Sequence, residues 1–97
     1  MKYSIIFSTE ARQDYDDLAA YIRAPVRDGI DKHLQQGPKR ESKSKIKRLR
    51  ELEKPGYRLR VGDVRVFYDV RAGEVEVLGI VDKKNADEWL RRRGVRS

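Results

Sequence analysis

The sequence predicts a small α+β domain, in which a twisted antiparallel β-sheet packs against an N-terminal helical hairpin and a short C-terminal helix closes the chain. Two observations predict this class. Residues 57–68 alternate between apolar and polar side chains on both sides of Gly62-Asp63, which is typical of a β-hairpin. Residues 8–38 instead space their apolar side chains as helices do. A chain of 97 residues is expected to form a single domain, residues 1–97, with one modest core.

The first 38 residues predict a strand followed by two helices. Residues 2–7 are apolar enough for a short strand, and Ser8 or Thr9 can cap the helix that follows. We expect that helix to end near Arg23 and a second helix to begin at Pro25, because proline suits a first helical turn. Two helices with so short a connection form an antiparallel hairpin.

The central hairpin has a register that its turn determines. Glycine first in a two-residue loop suits a type II′ turn, which places Val61 opposite Val64 and Arg60 opposite Arg65. Since side chains alternate between the faces of a strand, one face is apolar and the other carries cations. The apolar face is predicted to hold Leu59, Val61, Val64 and Val66, and the other face Arg58, Arg60, Arg65 and Phe67.

The positive charge lies in the second part of the chain. Residues 1–38 hold five Lys or Arg against six Asp or Glu, whereas residues 39–97 hold eighteen against ten. Residues 39–50 alone hold seven cations and one acid, and we interpret them as a basic loop that binds phosphates, in preference to a merely solvated loop. Residues 53–56 are expected to form a turn. The excess of charge favours a polyanionic or acidic partner.

The end of the chain predicts a third strand of the meander, residues 74–81, and a short helix. An antiparallel meander brings the end of this strand beside Arg65, so Lys83 and Lys84 should emerge there. Asn85 and Glu88 have the spacing of a capping box for the last helix. Trp89 in that helix is interpreted as a core anchor, with stacking on a nucleobase as the alternative.

Several classes of site are excluded by composition. The chain has no cysteine and one histidine, His33, so a thiolate or His-based metal site and a Ser-His-Asp triad lack their residues. His33 lies on an apolar stripe and is expected to pack rather than to catalyse. No apolar run reaches the length of a membrane span, and the N-terminus lacks the apolar run of a signal peptide. We therefore expect a cytoplasmic protein without cofactor, metal or membrane contact.

The cations that converge on the hairpin suit phosphodiester chemistry. Arg58, Arg60, Arg65 and Lys84, with Lys83 nearby, can grip a phosphate and stabilise the additional negative charge of its transition state. RNA carries its own nucleophile, the 2′-hydroxyl, so cleavage can rest on positioning and charge. Tyr57 and Tyr68 are further candidates, although tyrosines in such strands commonly belong to the core.

The hairpin residues also carry a resemblance. Tyr57-Arg58-Leu59-Arg60-Val61-Gly62-Asp63-x-Arg65-Val66-x-Tyr68 resembles the central strands of the RelE/ParE superfamily of type II toxin–antitoxin toxins. Val81-Asp82-Lys83-Lys84 is similar to the basic motif at the strand end of that superfamily. The resemblance covers nearly the whole chain and implies the RelE-like microbial RNase fold. It also implies a ribosome-dependent endoribonuclease that cleaves mRNA in the A site and inhibits translation, leaving a 2′,3′-cyclic phosphate.

The resemblance further implies roles for residues and partners. Arg65 matches the central catalytic arginine, and Arg58 and Arg60 match residues on the mRNA phosphates. Lys84, or Lys83, stands where many members have arginine. The cognate antitoxin is implied to be acidic and to wrap the toxin, and operator DNA is bound only through it. Two alternatives stay open, a ParE-like inhibitor of DNA gyrase and a non-catalytic RNA-binding module. The side chains expected to meet RNA or the ribosome are Lys43, Lys45, Lys47, Arg48, Arg50, Lys83 and Trp89.

Overall fold

A computed structural model describes residues 2–96 as an α+β domain. The strands are β1 (Ser4–Phe7), β2 (Ile46–Arg48), β3 (Leu52–Lys54), β4 (Tyr57–Val61), β5 (Val64–Arg71), β6 (Glu74–Asp82) and β7 (Val95–Arg96). The helices are α1 (Thr9–Asp17), α2 (Ala20–Leu34) and α3 (Ala86–Arg93), and α3 follows a single 3-10 turn, Lys83–Asn85. None of the helices in this described part is long and apolar enough to cross a membrane.

The main sheet has five strands in the order β1-β6-β5-β4-β2. β4, β5 and β6 form the predicted antiparallel meander, but β1 lies parallel to β6 with Ser4 opposite Glu74. The sheet is therefore mixed, and the prediction of a wholly antiparallel sheet is wrong. α1 and α2 carry the chain from β1 to β2 at the opposite edge of the sheet, so β1 pairs with the last strand of the meander and not with a sequence neighbour.

The N-terminal helices form as predicted in kind but not in bounds. Ser8 caps α1, because its side chain accepts a hydrogen bond from the amide of Ala11. The helix breaks at Leu18 and Ala19, whose extended backbones turn the chain, and not near Arg23. α2 then runs through Pro25, which does not begin it. Proline has a helical φ, and Pro25 lies on the exposed side, where water can hydrate the carbonyl left without its N–H partner.

The core lies between α1, α2 and one face of the main sheet. The hairpin has the predicted register, with Val61 opposite Val64 and Arg60 opposite Arg65. Gly62 has a φ of +58°, which the predicted turn requires of its first residue. We call the sheet face toward α1 and α2 the inner face and the opposite one the outer face. The buried residues of the core cluster are Ala11, Val26, Ile30, Leu34, Ile46, Tyr57, Leu59, Val64, Val66, Tyr68, Val75, Val77 and Ile80.

The basic segment is more ordered than a loop. Ile46–Arg48 pair with Tyr57–Leu59 as the edge strand β2, and Leu52–Lys54 pair with β7, so the predicted loop and turn are corrected at both places. Ser42 and Glu41 protect the outer edge of β2. The amide of Ser42 donates to the carbonyl of Ile46, and a Glu41 carboxylate oxygen accepts from the amide of Arg48 at 3.2 Å. Pairing of a free edge with another chain is thereby blocked.

α3 is held against the outer face by one tryptophan. Trp89 is buried and stacks on Phe67, with ring centroids 4.8 Å apart. Gly79 makes this close approach possible, since a Cβ there would lie 2.8 Å from the indole nitrogen. The predicted capping box is wrong. Asn85 makes no side-chain cap, and Glu88 pairs with Arg91 and Arg92 instead, because Asp82 already caps the preceding 3-10 turn through the amide of Lys84.

Candidate functional site

The candidate site lies on the outer face of the sheet, beside α3. Arg58 and Arg60 of β4 and Arg65 of β5 alternate onto this face, opposite the buried inner face. We call these three residues the arginine face. Trp89 of α3 covers the neighbouring part of the sheet, so apolar side chains border the arginine face on that side. Lys47 adds a cation beside it, since β2 pairs Lys47 with Arg58.

The observed register of the hairpin places Arg60 directly opposite Arg65, as predicted. Two cations directly opposite one another destabilise a hairpin. Arg65 is held by the backbone of the turn, because its Nη1 donates to the carbonyls of Gly62 at 3.0 Å and Val64 at 3.2 Å. The guanidinium is thereby fixed at the mouth of the hairpin, and no carboxylate of residues 2–96 forms an ion pair with it.

Arg58 is the most constrained member of the arginine face. Its side chain is half-buried, and its Nε is buried without a hydrogen-bond partner within the described chain. Burial lowers the pKa of Arg58, and the positive charges of Arg65 and then Arg60 lower that pKa further. Each of these effects disfavours the protonated form. An anion placed among the three guanidinium groups would relieve the repulsion and supply the missing acceptor.

The two lysines after β6 emerge beside the hairpin, as expected, but differ in their surroundings. The amide of Lys83 donates to the carbonyl of Asp63 at 2.7 Å, and its Nζ lies 3.3 Å from the Asp63 carboxylate. Lys84 is exposed, and no ion pair is found for it in the described structure. Asp63 of the hairpin turn therefore binds Lys83, whereas the charge of Lys84 is not compensated within the described residues. Sequence reasoning missed Asp63, whose only signal is its place in the turn.

The basic segment presents two kinds of cation. Arg48 and Arg50 have partners, because Arg48 lies over the Tyr57 ring at 5.3 Å from its centroid and Arg50 pairs with Glu41 at 2.8 Å. That pairing lowers the pKa of Glu41 and raises the pKa of Arg50. Three of the remaining cations, Lys43, Lys45 and Lys47, are exposed, and residues 2–96 provide no carboxylate within ion-pair distance of them.

The aromatic candidates belong to the core. Trp89 is 7% exposed and one of its faces is covered by Phe67, so its anchoring role holds and the base-stacking role is corrected. Tyr68 is fully buried and donates to the carbonyl of Pro38 at 2.6 Å, while burial raises its pKa strongly. Tyr57 stacks on Tyr68. No three His, Asp or Glu side chains of residues 2–96 converge as metal ligands.

Comparisons with known proteins identify the chain as a toxin of the RelE/ParE superfamily. A protein-family model described as the ParE toxin of the type II toxin–antitoxin system, parDE, matches residues 5–86. Because that match spans most of the chain, the protein belongs to the ParE toxin family and is a type II toxin. A search of curated protein sequences found no match to it.

Solved structures of toxin–antitoxin complexes resemble the chain. The RelBE2 complex of Mycobacterium tuberculosis aligns with a TM-score of 0.72 and 26% identity, over 84% of this chain and 99% of that one. The RelB–RelE complex of Methanococcus jannaschii gives 0.66 and 18%, over 87% and 96%. The RelE–RelB complex of Pyrococcus horikoshii gives 0.54 and 19%, over 86% and 97%. The last two likenesses show a shared fold alone.

Proposed function

We propose that this type II toxin is a ribosome-dependent endoribonuclease that cleaves mRNA in the A site and inhibits translation. The observation that carries the proposal is the buried Nε of Arg58, which has no hydrogen-bond acceptor within residues 2–96. Burial lowers the pKa of Arg58, and the positive charges of two further arginines, Arg65 and Arg60, lie close enough to lower it further. A buried donor of this kind costs about 1–3 kcal/mol. A phosphodiester that binds the arginine face would remove that cost and the charge repulsion together.

The arginine face would act on the scissile phosphate by charge and position. Arg58 and Arg60 hold the non-bridging oxygens, and Arg65 stabilises the charge that develops as the 2′-oxygen attacks phosphorus. The bond from phosphorus to the 5′-oxygen breaks, giving a 2′,3′-cyclic phosphate and a 5′-hydroxyl that takes up a proton. Because arginine stays protonated in proteins, water is the acceptor for the 2′-hydroxyl proton. Lys84 adds a fourth cation at the exit of β6.

The exposed cations of the basic segment would bind the ribosome. Each phosphate that a lysine or arginine neutralises releases counterions, so such contacts bind RNA without reading its sequence. This role fits best the lysines of the segment that have no acidic partner within residues 2–96, and we extend it to exposed cations that do have partners, Arg50 with Glu41 and Lys83 with Asp63. The residues assigned to it are Lys43, Lys45, Lys47, Arg48, Arg50 and Lys83.

A cognate antitoxin would keep the toxin inactive in the cytoplasm. The three solved relatives are complexes of a toxin with its antitoxin, and this chain has a net charge of +7. We therefore assign an acidic antitoxin that covers the arginine face, and contact with operator DNA only through that antitoxin. Charge complementarity of this kind also speeds association.

The test is primer extension on an mRNA translated by purified ribosomes. The wild-type protein should cut within codons only when ribosomes are present. Arg65→Ala should lower the cleavage rate by about 10²–10³, the usual cost of one lost charge-stabilising donor. Arg71→Ala is the matched control, because Arg71 lies on the same strand and face but pairs with Glu76 at the far end.

The proposal is contradicted if folded Arg65→Ala protein cuts as fast as the wild type. A salt-sensitive affinity for RNA without any cleavage would instead identify a non-catalytic RNA-binding module.

A second candidate function is inhibition of DNA gyrase, which the match to the ParE toxin family favours. A supercoiling assay distinguishes the two functions. A gyrase inhibitor would block supercoiling at concentrations that leave the translated mRNA intact, whereas the nuclease would do the reverse.

A further inference from the structure

A cationic cavity, separate from the arginine face, lies where the C-terminal end of α2 meets the loop before β2. We call it the helix–loop pocket. Lys32 and His33 line it from the helix, and Arg40, Ser42 and Lys45 line it from the loop. No carboxylate is among its lining residues. Glu41, the one acid of the loop, turns away to bond Arg50 and the amide of Arg48.

The loop wall of the pocket is fixed by hydrogen bonds. Pro38 is fully buried, and its carbonyl accepts from Tyr68 at 2.6 Å. The amide of Arg40 donates to the carbonyl of Gly37 at 3.1 Å, which closes a turn. Ser42 Oγ accepts from the amide of Lys45 at 3.0 Å, so its own O–H can still donate to a ligand. An anion would therefore meet donors that are already in place.

The charged residues that line the pocket beside His33 are all cations. Lys32 faces it from its own helix, and Lys45 and Arg40 face it from the loop. Burial lowers the pKa of His33, and the charges of Lys32 and then Lys45 lower that pKa further. The negative end of the α2 dipole opposes them, but its half charge is small against three cations. The lining of the pocket thus carries positive charge without a carboxylate, and a bound anion would favour the protonated form of the imidazole.

Lys45 lines the helix–loop pocket and is also bonded through its backbone to the arginine face. The carbonyl of Lys45 accepts from the amide of Arg60 at 2.8 Å, so one residue joins the pocket to the outer face. We propose that the helix–loop pocket binds a phosphodiester group of RNA whose strand continues onto the arginine face. The inference rests on the proposed RNA partner and adds a binding site to it. Lysine and serine donors suit phosphate without base recognition, so this contact would be independent of sequence.

The single histidine makes the pocket directly observable by NMR. The imidazole pKa of His33 is measured in the tag-free full chain, alone and saturated with an RNA probe. The probes are a 2′-O-methyl single strand of eight nucleotides, which lacks the nucleophile for cleavage, and a short RNA hairpin. Binding should raise the pKa of His33, because a phosphate beside it favours the charged ring. A shift with the single strand indicates an mRNA-like ligand, and a shift with the hairpin alone indicates structured RNA.

Two double variants distinguish RNA binding in the pocket from a general effect of net charge on RNA affinity. Lys32→Gln with Arg40→Gln should reduce the slope of log affinity against log salt by about 0.7, the value for one phosphate on a single strand. That slope corresponds to about fivefold weaker binding near 0.1 M salt. Lys2→Gln with Lys54→Gln removes the same charge from exposed residues outside both the pocket and residues 39–50, and should retain the slope.

The proposal fails if RNA saturates the protein without raising the pKa of His33, or if both double variants lower the slope equally. It also fails if oligoglutamate shifts the pKa of His33 and neither RNA does. Cleavage is not part of these readouts. A protein that binds in the pocket but cuts no translated mRNA would therefore refute the nuclease and leave the pocket standing.

Discussion

Gly79 is the position at which a single methyl group should test how α3 is attached. Alanine there would place its Cβ 2.5 Å from Trp89 Cε2 and 2.8 Å from Nε1, distances too short for any packed pair. The indole cannot move toward the sheet, because it already stacks on Phe67 with an interplanar angle of 10°. Trp89 must therefore lift away, and α3 must lift with it.

The expected loss of stability lies between the cost of an overpacked contact and the cost of losing a buried tryptophan. Forcing an additional methyl into a packed contact costs about 1–3 kcal/mol. Complete loss of a buried tryptophan costs about 3–5 kcal/mol, which sets the upper limit. Gly79→Ala should thus lower the free energy of unfolding by about 1–3 kcal/mol, and Tm by about 4–8 °C for each kcal/mol.

Urea unfolding followed by circular dichroism measures this cost, and fluorescence locates it. Trp89 is the only tryptophan, so its emission should shift to the red as the ring becomes hydrated. Gly37→Ala is the control, since a Cβ there meets Arg40 at an ordinary 3.6 Å. In a Trp89→Ala background, Gly79→Ala should cost almost nothing. An equal cost in both backgrounds, or unchanged emission, would refute the reasoning.

Two further predictions concern the core side of the sheet. Asp14→Ala should cost about 1–3 kcal/mol and accelerate hydrogen exchange at Ile80, because Asp14 accepts from that amide at 3.0 Å beside the bulge of β6. Asp16→Ala, which breaks only an exposed ion pair, should cost less than 1 kcal/mol, and equal costs would contradict the account. Burial raises the pKa of Tyr68, so the folded state keeps a proton that the unfolded state loses above pH about 10. This contribution to stability is complete below that pH and is lost as the pH rises. Tyr68→Phe should therefore reduce the fall in Tm at alkaline pH. If Tm depends on pH in the variant as it does in the wild type, the effect is excluded.

The arginine face was predictable because its determinants are local. A glycine-first turn and alternation along two strands place Arg60 opposite Arg65 and Arg58 on the same face, without reference to the rest of the chain. The buried Nε of Arg58 was not predictable. It depends on what packs around Arg58 from other parts of the chain, and no pattern within β4 encodes that environment.

The same distinction applies to the helices and to the second pocket. Ser8 caps α1 as its sequence neighbours predict, but no local pattern marks the break at Leu18 or the passage of α2 through Pro25. The pocket brings Lys32 and Arg40 together across a turn that the buried Tyr68 hydroxyl anchors. Neither residue carries a signal for the other in the sequence.

The sequence by itself determined the α+β class, the hairpin register, the basic second part of the chain and the cations that converge on the outer face. These follow from turn chemistry and side-chain period, which act over a few residues. The tertiary structure alone decided that β1 lies parallel to β6, that Ile46–Arg48 become an edge strand and that Trp89 is a wall rather than a stacking platform. Each of these depends on contacts between residues far apart in the chain, where the gain from burial selects one partner among many.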